Sequence, residues 1–489
     1  MRRFLFVLAG ILAAATAKAQ DLQQALQNIA TQRGLVGMSV VATCGDEVLQ
    51  VVHTGQRNLA QGLPVNNDTR YRVASISKLV TAMGLMKLHE QGAFALDDDV
   101  SSALGFTLRN PAYPAVPITY RMLLAHRSSL QDGTGYNSFL TATYAGTPPP
   151  PIQQLLSPGG TWYTANIWRT ETPGSWFMYS NLNYGVIGTL IEAHSGQRFD
   201  QYMRQEVLLP MGIAGSYNVQ DLDAIGDLAV LYRNSNPQAD NFGGTMPSPP
   251  DLSGYVIGSN GLYFAPQGGL RASALEMARV LRLLHGAGTV DGTTVLQAAT
   301  VAAMTADEWT WNGNNGDNYF GLFRSWGLGV HRITAQAGGD LVLPGTFMWG
   351  HAGEAYGLIS DLYLDPGTGF GLVFLTNGYT PGNNYTFGIN SAFYRVEEEV
   401  FAALGTLALP ACLSTGMPPL GTDRPLRIRE RQVEWLWPMG AEVQAFDAMG
   451  RLVEKARLHQ DLPWTPRHNG MLLLRVTDHL GGTHHLTLP

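Results

Sequence analysis

Hydrophobic positions fall into two rhythms along the chain. Met38-Ser-Val-Val-Ala42 and Glu47-Val-Leu-Gln-Val-Val52 are short β-rich runs on either side of the turn Cys44-Gly-Asp46, which predicts a β-hairpin. Runs of the same kind return at Leu358–Leu364 and Gly371–Thr376. Leu79–Leu88 is apolar almost all round, as a buried central helix requires, and Gly92 supplies its stop. Asp21–Thr31 predicts a first helix, and Gly388–Leu404 a last one carrying Glu397-Glu-Glu399. The stretch from Gly105 to about Asp340 is loop-rich and punctuated by helices. It includes Pro148–Pro151 and a Gly/Asn/aromatic segment, Trp309–Trp326. Sheet segments at both ends with helices between them predict an α+β fold, an antiparallel sheet flanked by helices with an inserted, mostly helical subdomain.

The pattern changes after the last helix. Leu409–Pro419 is rich in breakers and falls within a linker assigned to residues 406–422. Period-2 runs then recur at Leu426–Leu436, Glu442–Phe446, Arg451–Lys455, Met471–Thr477 and His484–Leu488, predicting a small β-sandwich over 423–489. At the other end, Arg2 and Arg3, the apolar Phe4–Ala15 and the small-x-small Ala17-Lys-Ala19 read as a secretory signal over 1–19. That apolar stretch is too short to span a bilayer, and no later segment is long enough for an integral membrane helix. Residues 20–405 are left as the main domain.

Composition narrows the function. Apolar residues make up 45% of the 489 and charged residues 14%, which suits a globular enzyme. A net charge of −7 with no basic stripe argues against nucleic acid as a partner. Five histidines in the tail (His459, His468, His479, His484, His485) lack metal-ligand spacing, so neither a metal nor an organic cofactor is implied. The two cysteines, Cys44 and Cys412, are either a disulfide, which export permits, or two unrelated thiols.

The chemistry begins with a rare residue. Only four of the 31 basic residues are lysine, and one of them is Lys78, three residues after Ser75 in Val73-Ala-Ser-Ile-Ser-Lys78. Arginine keeps its proton in a protein, whereas a buried lysine can lose it and act as a base. Residues three apart share a helix face, so Ser75 Oγ and Lys78 Nζ can meet. Near the start of a buried helix the backbone N–H groups favour developing negative charge. Ser77 is the rival nucleophile, but it is adjacent to Lys78 and faces elsewhere. Ser-x-x-Lys alone also fits a solvated helix face.

Two further motifs complete a constellation: Tyr179-Ser-Asn181, set between apolar stretches, and His351-Ala-Gly353 in Trp349–Ser360. In this order the three motifs resemble the serine β-lactamase and penicillin-recognising hydrolases, whose signature is Ser-x-x-Lys, a Ser- or Tyr-x-Asn and Lys-Thr-Gly. The Tyr-x-Asn form points to the branch with class C β-lactamases, D-alanyl-D-alanine carboxypeptidases, D-aminopeptidases and carboxylesterases. Ile118–His126 and Gly268–Arg279 resemble the same family, and the likeness covers roughly residues 22 to 405.

The resemblance implies a β-lactamase/transpeptidase-like fold and an acyl-enzyme reaction. Ser75 is then the nucleophile, Lys78 its amine partner and Tyr179 a second proton shuttle, its phenolate stabilised by Lys78 and a protonated His351. Asn181 would bond the substrate, Gly353 would let the substrate backbone approach, and the N–H groups of Ser75 and Glu354 would form an oxyanion hole. His351 and Ala352 depart from Lys-Thr, which favours esters or small amides and peptides over a β-lactam or D-Ala-D-Ala substrate. A non-catalytic scaffold on the same fold is the alternative from another class. The Trp309–Trp326 segment either lines an apolar cleft or packs as a local core. In the resembled fold the last strand lies beside the first, which brings Cys412 towards Cys44. The segments Phe446–Val453 and Asn469–Asp478 resemble a type IX (Por) sorting domain, which implies the secretion machinery as a partner and a secreted or cell-surface location reached through the periplasm.

Overall fold

The computed structural model describes residues 20–414 and, beyond them, 426–429, 432–435, 441–447, 451–458, 464–467, 472–477 and 483–488. The signal assigned to 1–19 and the linker residues 415–422 lie outside the described residues. The chain folds as two units, Met1–Gly416 and Met417–Pro489.

In the first unit, helix α1 (residues 20–32) leads into β1 (Gly37–Cys44), β2 (Glu47–Asn58) and β3 (Leu63–Pro64). A short strand β4 (Arg70–Arg72) runs into the central helix α2 (Ile76–Glu90). The inserted region contributes α3 (Thr134–Ala145), α4 (Asn181–Ser195), β5 (Arg271–Ser273), which pairs with β4, and α5 (Ala274–His285). The chain then returns to the sheet with β6 (Trp309–Thr310), β7 (Ser325–Trp326), β8 (His331–Ile333), β9 (Met348–Ala355), β10 (Leu358–Leu364) and β11 (Phe370–Thr376). Helices α6 (Arg395–Leu407) and α7 (Leu409–Ser414) close the unit.

Nine strands form one sheet in the order β6-β7-β8-β9-β10-β11-β1-β2-β3. β11 lies antiparallel to β1, with Val40 opposite Phe374, so the two ends of the domain meet within the sheet. β1, β10 and β11 are buried along their whole length because both faces of the sheet are covered. Alternate side chains enter different cores. Val41, Leu362, Leu364, Val373 and Leu375 join α2, α4 and α5 on one face. Val40, Ile359, Tyr363, Leu372 and Phe374 join α1 and α6 on the other. Cys44 and Cys412 form a disulfide on this second face, with Cα atoms 5.4 Å apart.

Two boundaries differ from the sequence reading. The last helix begins at Arg395, not Gly388. Glu398 accepts hydrogen bonds from the backbone of Ile389 and Asn390, which folds the preceding residues back onto the first turn. Glu397 caps the helix by accepting from Tyr394 N at 2.5 Å. The expected linker also opens with a helix, α7, whose Pro410 sits in the first turn, where its missing N–H costs nothing.

The second unit contains a hairpin, β12 (Leu426–Arg429) with β13 (Gln432–Trp435). A four-stranded sheet is built from β14 (Ala441–Phe446), β15 (Leu452–Leu458), β16 (Leu472–Thr477) and β17 (Thr483–Leu488), in the order β15-β14-β16-β17. Val433, Val443, Ala445, Leu458, Leu472, Leu474 and Val476 form its core. The run expected as one strand over Leu426–Leu436 is therefore two.

Candidate active site

Ser75 is the N-cap residue of α2, and the helix proper starts at Ile76. Ala74 before it has φ +43°, an uncommon conformation for a residue with a side chain, and it turns the chain sharply from β4 into the helix. Ser75 is partly exposed while Ile76 to Met86 are all buried. Ser77 has a separate role: its Oγ accepts from Leu270 N at 3.0 Å, which ties the helix to the loop before β5.

Lys78 lies one turn further in and is wholly buried. Its Nζ donates to Ser75 Oγ (3.0 Å), Asn181 Oδ1 (2.8 Å) and Gln267 O (2.8 Å). Burial drives its pKa from 10.5 down to about 7, while the charge of Asp132 pulls the other way. The lysine therefore has a large neutral fraction at physiological pH, one hydrogen bond from a serine hydroxyl.

Tyr179 and Asn181 stand at the entrance to α4. The Asp132 carboxylate organises this helix start, accepting from Ser180 Oγ (2.9 Å), Leu182 N (2.9 Å) and Asn181 Nδ2 (2.8 Å). Asn181 is thus held between Asp132 and Lys78. His126, with φ +55°, brackets Tyr179 from the other side. Its carbonyl accepts from Met178 N (2.8 Å) and its Nδ1 from Ser180 N (3.1 Å). The Tyr179 hydroxyl lies near Ser75, whose influence opposes the effect of burial on its pKa, and its ring centroid lies 4.9 Å from Lys78 Nζ.

The phenolate expected for Tyr179 is not supported. Burial pushes its pKa up, and the influence of Ser75 offsets only part of that. The second expected cation is absent too. His351 is buried in β9, and burial together with the nearby Lys78 charge holds its pKa well below 6.5, so the ring is neutral at pH 7. Its Nδ1 lies 2.5 Å from Ala352 O, and its ring faces Trp326 and Tyr179 at 5.3 and 6.1 Å between centroids.

Gly353 fits its place for a geometric reason. A Cβ there would stand 2.8 Å from Ser75 N and 2.4 Å from Ser360 Oγ, filling the niche in front of the serine amide. Glu354 follows on the same strand, and its carboxylate accepts from Tyr394 OH at 2.9 Å. The Trp309–Trp326 segment packs as a small aromatic core: Phe177 stacks on Trp309 at 4.0 Å, and Phe323 stacks on Tyr179 at 4.9 Å. It backs the tyrosine, and the short strands β6 and β7 join it to the sheet edge.

The structure therefore brings Ser75, Lys78, Tyr179, Asn181, His351 and Gly353 together from three separate segments. Asp132 and the work of His126 escape sequence reasoning, although the Ile118–His126 motif points to the right stretch of chain. Among the described residues no group of three or more His, Cys, Asp or Glu side chains could hold a metal, and no helix is long and apolar enough to cross a membrane.

Known proteins share this architecture. Penicillin-binding protein 4 of Amycolatopsis lactamdurans is 23% identical over 414 residues, covering 82% of this chain and 94% of that one. The D-amino acid amidase of Ochrobactrum anthropi SV3, complexed with L-phenylalanine amide, superposes with a TM-score of 0.56 at 19% identity, covering 80% of this chain and 99% of the amidase. EstCE1, described as a hydrolase with promiscuous acyltransferase activity, superposes with a TM-score of 0.57 at 21% identity, covering 80% and 100%. The Beta-lactamase family profile matches residues 22–388, well over half of the sequence, and the chain belongs to that family.

Proposed function

We propose that this protein is an exported serine hydrolase that works through an acyl-enzyme on esters or small amides and peptides. The observation that carries this reading is the wholly buried Lys78 amine, 3.0 Å from Ser75 Oγ, with a pKa of about 7. In the proposed reaction the neutral amine takes the Ser75 proton as Oγ attacks the carbonyl carbon. The N–H groups of Ser75 and Glu354 hold the oxyanion, with Gly353 keeping that niche open. Tyr179, protonated and close to Ser75, passes a proton to the leaving alcohol or amine and is resupplied by the lysine ammonium. Water then attacks the acyl-serine with Lys78 again as base, the acyl–Oγ bond breaks, and the lysine ammonium returns the proton to Ser75 Oγ.

The preference for esters over β-lactams rests on His351 being neutral. A ring without charge offers no cation to a carboxylate on the leaving-group side. A β-lactamase or D-Ala-D-Ala carboxypeptidase is the second reading, favoured by the family membership itself. Turnover of a chromogenic cephalosporin faster than of 4-nitrophenyl acetate would reverse the order of the two.

Export is supported by the Cys44–Cys412 disulfide, since such bonds persist in oxidising compartments. The β-rich second unit is proposed as a transport address of the type IX kind and as dispensable for catalysis. The deciding experiment is labelling with a fluorophosphonate probe. Label should map to Ser75 and vanish in Ser75→Ala but not in Ser77→Ala. Label on a different serine, or none on the wild type, would leave the non-catalytic scaffold as the better account.

A further inference from the structure

A second charged feature lies beside the serine. Arg72 and Arg271 are opposite each other on β4 and β5 and share one carboxylate, that of the buried Asp240. Arg271 Nη2 is 2.8 Å from Asp240 Oδ1, and Arg72 Nε is 3.4 Å from Oδ2. Two guanidiniums against one carboxylate leave a surplus positive charge, and among the described residues no other acid forms an ion pair with either arginine. Arg271 is further engaged by the carbonyls of Tyr217 and Gly269. The Arg72 side chain remains 16% exposed and lies 5.2 Å over the ring of Tyr356.

Phenols surround that charge. Tyr144 and Tyr356 are half-exposed and close enough to Arg72 to sense it. Tyr136 is buried near Asp132, Tyr144 and Tyr356, and its hydroxyl has no hydrogen-bond partner. The loop that engages Arg271 through the carbonyl of Gly269 also holds Lys78 through the carbonyl of Gln267, so the cluster and the active amine share one segment. The Asp132 charge does not cancel the surplus, because it is met by the N-terminus of α4.

The side of the cleft follows from the chemistry proposed above. Tyr179 serves the leaving group, and it stands with His351 and Trp326 near the start of β9. The acyl group must then extend the other way, towards Tyr356 in the turn after Ala355, where Arg72 is. Resting on the acyl-enzyme reading, we propose that this arginine–tyrosine cluster selects acyl groups that end in an anionic group, a terminal carboxylate above all. Arg72 supplies the charge, and the Tyr136 hydroxyl supplies a donor that is otherwise unpaired. Recognition of a carboxylate is thus on the acyl side of the scissile bond, while the leaving-group side is uncharged.

The test compares mono-4-nitrophenyl glutarate with 4-nitrophenyl pentanoate, which has the same chain length and no charge. The wild type should favour the glutarate by about tenfold or more in kcat/KM, as expected for a charge-assisted hydrogen bond. Arg72→Gln should bring the glutarate-to-pentanoate ratio of kcat/KM down to about one. Its fold is protected because Asp240 keeps Arg271. Tyr136→Phe should remove part of the preference. A wild-type preference for pentanoate, or an unchanged ratio in a folded Arg72→Gln, overturns the inference. Calorimetric titration with glutarate and pentanoate needs no catalysis. Glutarate binding no tighter than pentanoate refutes the cluster's selectivity, whereas tight glutarate binding without any turnover refutes only the acyl-enzyme reading.

Discussion

Lys78 and the pair Asp361–Glu397 are buried on opposite faces of the same sheet. Neighbouring residues of β10 show the division. Ser360 turns towards Ser75 and bonds Val73 O at 2.9 Å, while Asp361 turns away towards α6 and Glu397. Burial pushes every one of these groups towards its neutral form. Lys78 falls to about 7, Glu397 rises to about 8, and Asp361 rises well above its ordinary value beside Glu397. The neutral product decides the use. An uncharged amine next to a hydroxyl is a base. Two neighbouring carboxyls held towards their neutral forms, with no hydroxyl in reach among the described residues, have nothing to activate. A perturbed ionisable group therefore marks a reactive site only where a second reactive atom is in reach.

The largest expected effect breaks the comparison on the site face. Lys78→Arg keeps a cation but removes the base, so kcat/KM for 4-nitrophenyl acetate should fall by about 10⁴-fold or more. Glu397→Gln, which keeps the hydrogen-bonding shape on the far face, should remain within about threefold of wild type. Comparable losses in the two variants would mean that the far face takes part in catalysis.

Next in size is the tie on the far face. Cys44 and Cys412 are 368 residues apart, so their bridge restricts most of the unfolded chain. Cys412→Ser should lower unfolding free energy by about 6 kcal/mol in the chain-entropy account, measured by urea titration. Esterase activity at 25 °C should persist, since neither sulfur is on the serine's side of the sheet. Loss of activity in a variant that is still folded would show that the two faces are mechanically coupled.

The two faces should also respond oppositely to pH. The unfolded chain holds the Lys78 proton up to pH 10.5, while the folded protein releases it at about 7, so stability rises with pH across that window. Glu397 does the reverse: unfolded it loses its proton near 4.5, folded at about 8, so stability falls as pH climbs between them. Each slope integrates to a few kcal/mol on the order-of-magnitude scale of such shifts. Lys78→Met should flatten the alkaline rise and Glu397→Gln the fall, read as Tm against pH. A slope that survives its own substitution reassigns that titration to another group.

What the sequence reveals follows the same division. Ser75 and Lys78 are legible because their chemistry depends on local spacing along one helix, and the hairpin and central strands because their runs are long. Asp132 and His126 are not, since each acts through contacts to the start of α4 about 50 residues away. Asp361 sits in a run that reads as an ordinary buried strand, and nothing local announces its partner on α6. Two-residue strands such as β6 and β7 carry no period at all. The burial of His351, which lowers its pKa, is likewise not visible in the sequence, although its motif position is.

The smallest effect tests how Lys78 is tuned. Asp132 raises the lysine pKa through its charge, against the larger effect of burial. Asp132→Asn removes that charge but keeps a side-chain oxygen for the start of α4. Lys78 should then lose its proton more readily, so the acidic limb of the kcat/KM profile should move to lower pH. The plateau should drop a few-fold as Asn181 loses part of its anchor, in line with the ~1 kcal/mol of a weakened helix cap. Ser180→Ala separates the two effects. It removes one hydrogen bond to Asp132 and leaves the charge in place, so its plateau should fall while its limb stays where it was. A limb that stays fixed in Asp132→Asn, or moves to higher pH, would mean that Asp132 only shapes the helix and that burial alone sets the lysine.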